Sequence, residues 1–290
     1  MKKVLVIFIA ILLFSCLSFS QLSFRFYGGL AHMKSKDICS AVKATNDLLD
    51  LYDPGHTGFL EKLCLGANFG GEILYQISHN IGLGIGIEFI RLRNESNLSY
   101  SYNMDTPLVQ TSTYRFNTIP ITFNIHFSRS VTSLLNAYVS VGAGYYLMDI
   151  NYMSDSLWDF GLLGNNPDQI YSFQSSQGTL GLQAQWGIEV IVSRNISFLV
   201  GGMGRFAKIS DVKGDWTNTG YTPGIGSFDE SGSNHYFWFY EESIEGKNYP
   251  QVVFSENAPS FAVNARKGKL DLSGFSFAAG IKIGLDFIKK

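Results

Sequence analysis

The chain has 290 residues, a formal net charge of −2, 16% charged residues, 14% aromatics and 30 glycines. The near-neutral balance gives no sign of a nucleic-acid partner, and the charge content lies well below the roughly 25% of typical globular chains. Beyond residue 20 nothing approaches the roughly 18 consecutive apolar residues of a transmembrane helix, so helical spans are excluded.

In chain order the first feature is a targeting segment. Lys2 and Lys3 precede an unbroken apolar stretch from Val4 to Phe14, and Ser18 and Ser20 supply small residues ahead of Gln21. This is the pattern of a cleaved secretory signal peptide over residues 1–20, with an uncleaved anchor as the alternative. Leu13-Phe14-Ser15-Cys16 loosely matches a lipoprotein box, but the bulk of Phe14 favours cleavage after Ser20. Residues 21–290 then form one exported domain.

That domain is dominated by period-two alternation, the mark of strands with one apolar face. In Ile81–Phe89 every odd position is apolar and the even ones are Gly82, Gly84, Gly86 and Glu88. Strands sort residues in this way, whereas a helix spreads them around its circumference. Eight such segments are predicted, near 22–34, 63–78, 81–93, 112–127, 134–149, 177–193, 196–209 and 270–287. Each is long enough to cross a bilayer as a tilted strand, which takes about 9–11 residues. Short links at His79-Asn80, Ser128–Ser133 and Arg194-Asn195 alternate with long ones at about 35–62, 94–111, 150–176 and 210–269. Short turns on one side and long loops on the other are the layout of outer-membrane barrels.

Polarity decides which face is outside. The second face of the strands reads Gly66, Asn68, Gly70, Glu72; Ser140, Gly142, Gly144; and Gly181, Gln183, Gln185, Gly187, Glu189. A soluble lipocalin-like barrel, the alternative, calls for Lys and Glu on its solvent face. Small and uncharged polar residues suit a crowded interior instead. Arg25, Glu72, Glu88, Glu189, Arg205, Lys282 and Asp286 all fall on that face, as an internal charge network or as separately hydrated groups. A cation on the lipid face near midplane costs roughly 2–4 kcal/mol. Arg91 and Arg93 share the apolar parity but lie beyond Phe89, where they can meet lipopolysaccharide phosphates or simply snorkel. Tyr75, Tyr145, Tyr146, Trp186 and Phe287 are candidates for aromatic girdles.

The Ile81–Phe89 strand after its tight turn, the run Ile119-Pro120-Ile121-Thr122-Phe123-Asn124 and the C-terminal strand Phe275–Phe287 together resemble the eight-stranded outer-membrane β-barrel family of OmpA and OmpX. The resemblance covers nearly the whole mature chain. It implies an all-β, transmembrane, antiparallel up-and-down barrel of eight strands in the outer membrane of a Gram-negative bacterium; the alternative of ten strands comes from the last long link, whose two short strand-like segments are expected to lie outside the bilayer. It also implies insertion by the barrel-assembly machinery, which reads a terminal aromatic. Phe287 fits that role, although Ile288-Lys289-Lys290 follow it.

The long links carry the remaining signals. Ile38, Ala41, Val42, Thr45, Leu48, Leu49 and Tyr52 form one helical stripe, started by Ser35 or Asp37 and ended by Pro54-Gly55. A short amphipathic helix resting on the barrel mouth or against the lipid surface is expected. Cys39 and Cys64 flank this link and can form a disulfide in an exported protein. His235–Tyr240 and Pro250–Phe254 can pair as a hairpin around Glu245–Asn248. His32, His56, His126 and His235 show no Ser-His-acid spacing. There is no phosphate loop, no HExxH and no dinucleotide fingerprint, so no catalytic residue, cofactor or metal is assigned. The expected partners are lipid, lipopolysaccharide and an extracellular partner met by the loops of a monomer. The preferred role is structural or adhesive; a narrow porin-like channel and a lipid-modifying enzyme are the alternatives.

Overall fold

The computed structural model describes residues 21–34, 36–60, 65–102, 106–158, 167–244 and 246–285. The proposed signal peptide, Cys64, Asp286 and Phe287 lie outside them. The described chain is one antiparallel sheet of 14 strands with one helix. In order these are β1 (Gln21–Met33), α1 (Lys36–Tyr52), β2 (Thr57–Gly58), β3 (Leu65–Gln76), β4 (Ile81–Tyr102), β5 (Thr106–Ser130), β6 (Leu135–Trp158) and β7 (Asp168–Ser193). Then come β8 (Ile196–Ser210), β9 (Lys213–Thr222), β10 (Gly226–Ile244), β11 (Lys247–Ser255), β12 (Val263–Lys267), β13 (Lys269–Asp271) and β14 (Gly274–Leu285).

Following the pairings from β1 through β3, β4, β5, β6, β7, β8 and β14 returns to β1, so eight strands close a circuit. Closure removes the unpaired edges that a sheet otherwise exposes. One rung shows how register sorts the two faces. Phe24 lies opposite Ile73, Ile73 opposite Ile85, Ile85 opposite Phe123, and Phe123 opposite Ala143. The rung continues through Leu182 to Phe206. All point outward, and Ile85 keeps 62% of its surface exposed. Their inner-face neighbours Arg25 and Glu72 are paired in register and are only 3% and 4% exposed.

The structure has more strands than the eight expected, and the difference lies in the long links. In the spans 94–111 and 150–176 the described residues are mostly strand rather than loop. β4 and β5 pair continuously out to Tyr102 and Thr106, and β6 and β7 out to Leu157 and Asp168. The last link folds as β9 to β12, and β9 takes over the edge of β7 where β8 leaves it. The expected hairpin is present, with Tyr240 opposite Gln251 and Ile244 opposite Lys247. These stretches escaped the period-two reading because their polarity is reversed. On β4 the outward positions change from Ile85, Ile87 and Phe89 to Arg91, Arg93 and Glu95, while the inward ones change from Gly86 and Glu88 to Ile90 and Leu92. The same inversion occurs on β5, between Ile119 and Asn117 outside and between Thr122 and Phe116 inside. β6 follows suit, with Leu147 then Asp149 outside and Gly144 then Met148 inside.

The circuit therefore has two storeys. One is polar within and apolar without. The other holds an ordinary apolar core that includes Ile38, Val42, Ile90, Leu92, Phe116, Met148, Ile150, Phe237 and Leu270. α1 plugs this second storey with its first half: Ile38, Ala41, Val42 and Ala44 are buried, whereas Leu51 and Tyr52 emerge.

Candidate functional site

Three places concentrate chemistry. The first is the polar interior. Arg25 Nη1 donates to His126 Nδ1 at 3.0 Å and lies 3.6 Å from Glu72 Oε2. Arg25 can only donate, so Nδ1 of His126 accepts and Nε2 carries the hydrogen, which points at Glu72 Oε1 2.7 Å away. Asn124 donates to the same oxygen at 2.7 Å, and Gln183 donates to Asn124 Oδ1 at 2.8 Å. Gly84 makes this cluster possible, because a Cβ there would collide with the Glu72 carboxylate and the His126 ring. Nearby, Glu88 Oε1 accepts from Arg205 Nη2 and Asn68 Nδ2, both at 2.5 Å, and Arg205 also donates to Ser276 at 2.8 Å. Lys282 Nζ donates to both oxygens of Glu189, at 2.9 and 3.2 Å. The structure thus brings Arg25, Glu72, Glu88, Glu189, Arg205 and Lys282 into three ion-paired groups. His126, Asn124 and Gln183 also belong to the network; the sequence placed Gln183 on the polar face and weighed His126 only among the histidines, without assigning either to the charge cluster. Their inward parity was the available signal.

The second place is the outer surface where polarity inverts. Arg91 and Arg93 are exposed there. Arg93 lies opposite Arg115 in the β4–β5 register and is held by Glu95 at 3.1 Å. Arg115 borders an open groove of about 360 Å³ with Asn117, Asp149, Asn151 and Asp215. The Arg115 Nε and Asn117 Oδ1 atoms are buried and have no hydrogen-bond partner. Of the aromatics assigned to girdles, Tyr145 and Trp186 face outward. Tyr146 does not: it has the opposite parity on β6 and is 0% exposed, facing inward toward Gly181.

The third place is the mouth of the second storey. A pocket of about 290 Å³ lies between α1, β11 and the inner face of β5–β7. Tyr114, Tyr152 and Tyr171 form one wall, with ring centroids 4.6 and 6.2 Å apart, and Phe254 lies 5.6 Å from Tyr152. Burial pushes the phenols of Tyr114 and Tyr171 above their ordinary range, so both remain protonated donors. Asp37 fixes α1 over this mouth. Its oxygens accept two bonds from Arg266, each 2.8 Å, and one from the Lys269 backbone at 3.0 Å. This hydrogen bonding raises the Arg266 pKa further. Cys39 sits half-buried on α1. The histidines are dispersed: His32 stacks on Phe275 at 5.1 Å, His235 lies 4.8 Å from Trp216, and His56 is 3.7 Å from Asp50.

No protein-family model matches the chain, and no curated protein matches it in sequence. Among the solved structures it resembles are outer-membrane proteins. A major outer membrane protein from Thermus thermophilus aligns at 8% identity and TM-score 0.40, over 92% of this chain and 100% of that one. The outer membrane protease OmpT from Escherichia coli aligns at 8% identity and TM-score 0.27, over 92% and 96% of the two chains. The strand pairings themselves define the fold.

Proposed function

We propose that the chain is an outer-membrane β-barrel whose eight-strand circuit anchors a folded platform above the membrane, and that the platform acts as a surface-interaction module. The inversion of polarity along unbroken strands carries this reading. A soluble protein has no cause to expose a continuous belt of Ile85, Phe123, Leu182 and Phe206, since monomers rarely show apolar patches beyond a few hundred Å². The same strands return to polar outside and apolar inside once past Arg91, as a water-facing domain requires. Lipid meets the first storey and water the second. Arg91, Arg93 and Arg115 stand at that boundary, where guanidinium groups can take lipopolysaccharide phosphates in bidentate fashion.

The test is extraction from outer membranes. The folded protein is expected to migrate faster on a gel than the boiled one and to retain lipopolysaccharide. An Arg91→Ala/Arg93→Ala variant should keep the mobility shift and lose most of the retained phosphate. Recovery in the soluble fraction, with no heat-modifiable mobility, would contradict the membrane assignment.

A further inference from the structure

We infer that the mouth pocket between α1, β11 and β5–β7 is a binding site for a neutral saccharide, one small sugar ring presented from outside the cell. This deepens, and rests on, the reading of the second storey as an outward-facing platform.

Size is the first ground. At about 290 Å³ the pocket sits at the low end of the roughly 300–1,000 Å³ usual for small-molecule sites. Chemistry is the second. The wall offers the rings of Tyr114, Tyr152, Tyr171 and Phe254. Their electron-rich faces attract positively polarised groups, such as the C–H face of a sugar. Beside these rings stand Gln110 and Ser112, and across from them Thr45 of α1 and Gln251 of β11. Amides and hydroxyls both donate and accept, which matches a ligand made of hydroxyls. No described residue lining the pocket carries a formal charge. An anionic or cationic ligand would therefore be desolvated without a partner, at high cost.

The polar groups are already held in place. Gln110 Nε2 donates to Ser154 Oγ at 2.9 Å and to Ser112 Oγ at 3.4 Å, while Thr45 Oγ1 donates to the Ala41 carbonyl at 3.0 Å and lies 3.4 Å from Gln251 Oε1. Such anchoring lowers the ordering cost that a ligand must overcome. The Tyr171 hydroxyl, on a residue that lines the pocket, is buried and has no hydrogen-bond partner. An unsatisfied buried hydroxyl is costly and calls for something to bond it. A sugar hydroxyl or ring oxygen meets that need while its carbon face lies on the adjacent rings.

The experiment uses the full chain refolded in detergent, with heat-modifiable mobility checked first. Methyl glycosides of glucose, galactose, mannose and N-acetylglucosamine are titrated by saturation-transfer NMR and calorimetry. Methyl glucuronide and adenosine serve as the charged and the flat aromatic controls. At least one neutral glycoside should bind saturably with Kd of about millimolar order. Tyr171→Phe and Gln110→Ala should each weaken it about three- to tenfold, as expected for one lost hydrogen bond. Three results would overturn the site: folded protein that binds none of the four glycosides, binding unchanged in both variants, or preference for the glucuronide or adenosine. Failure of the mobility check strikes instead at the membrane reading on which the site depends.

Discussion

At the residue scale the interior ion pairs decide how the barrel section is filled. Glu72 accepts from Asn124 and His126 and faces Arg25, all within a few ångströms. Taking one partner away leaves a buried charge without compensation, which typically costs about 3–5 kcal/mol. Glu72→Ala should therefore lower stability by that order in urea titrations of protein refolded into vesicles. Arg25→Met/Glu72→Leu should recover much of the loss, since a well-packed apolar pair can replace a buried salt bridge. A single-variant loss within about 0.5 kcal/mol, the range of ordinary surface substitutions, would mean that these charges are separately hydrated. Pairing of the three acids with the three bases was one of two readings open from sequence. Parity places a side chain on a face, but only the closed circuit brings β1, β3 and β5 close enough for Arg25, Glu72 and His126 to touch.

At the element scale α1 behaves as a stopper held at its N-terminus. Asp37 lies in its first turn, where a carboxylate also complements the helix dipole. Arg266 grips it bidentately. Further along, Asn46 bonds both the N–H and the C=O of Leu60, each at 2.9 Å, and ties the following segment to the helix. Asp37→Ala should cost about 1–2 kcal/mol, at the lower end because the Arg266 side chain is half exposed and solvent weakens such pairs. The loss should be local. Limited proteolysis should cut the α1 region faster in the variant, while the heat-modifiable mobility of the barrel stays unchanged. Loss of that mobility would show that α1 is needed for the ring itself. The helical stripe from Ile38 to Tyr52 was legible in sequence, but only its first half is covered. Which half is buried depends on where β11 and β13 come to rest against it.

At the scale of the whole molecule, the filled ring bears on the channel alternative. The cavity beside Arg25 and Tyr138 holds only about 30 Å³, roughly the share of one water molecule in the liquid. Above it the apolar core and α1 close the second storey. An eight-stranded ring has an interior just wide enough for side chains to fill. In planar bilayers the wild-type protein is expected to give no steady single-channel steps. Reproducible conductance of the wild type would overturn the anchoring role in favour of transport.

The sequence by itself determined the strand alternation, the tight links at 79–80 and 194–195, the inward parity of the charged residues and the helical stripe of α1. These are local signals, carried by residues two to four positions apart. The strand count and the second storey were decided by tertiary structure. A stretch such as Asn94–Leu98 reads as a loop when the apolar face is assumed to point outward throughout. It becomes a strand once the outward positions turn polar and an apolar core forms within. The pocket of Tyr114, Tyr152 and Tyr171 likewise required three strands and a helix to meet. No spacing along a single strand encodes which distant side chains will share a space.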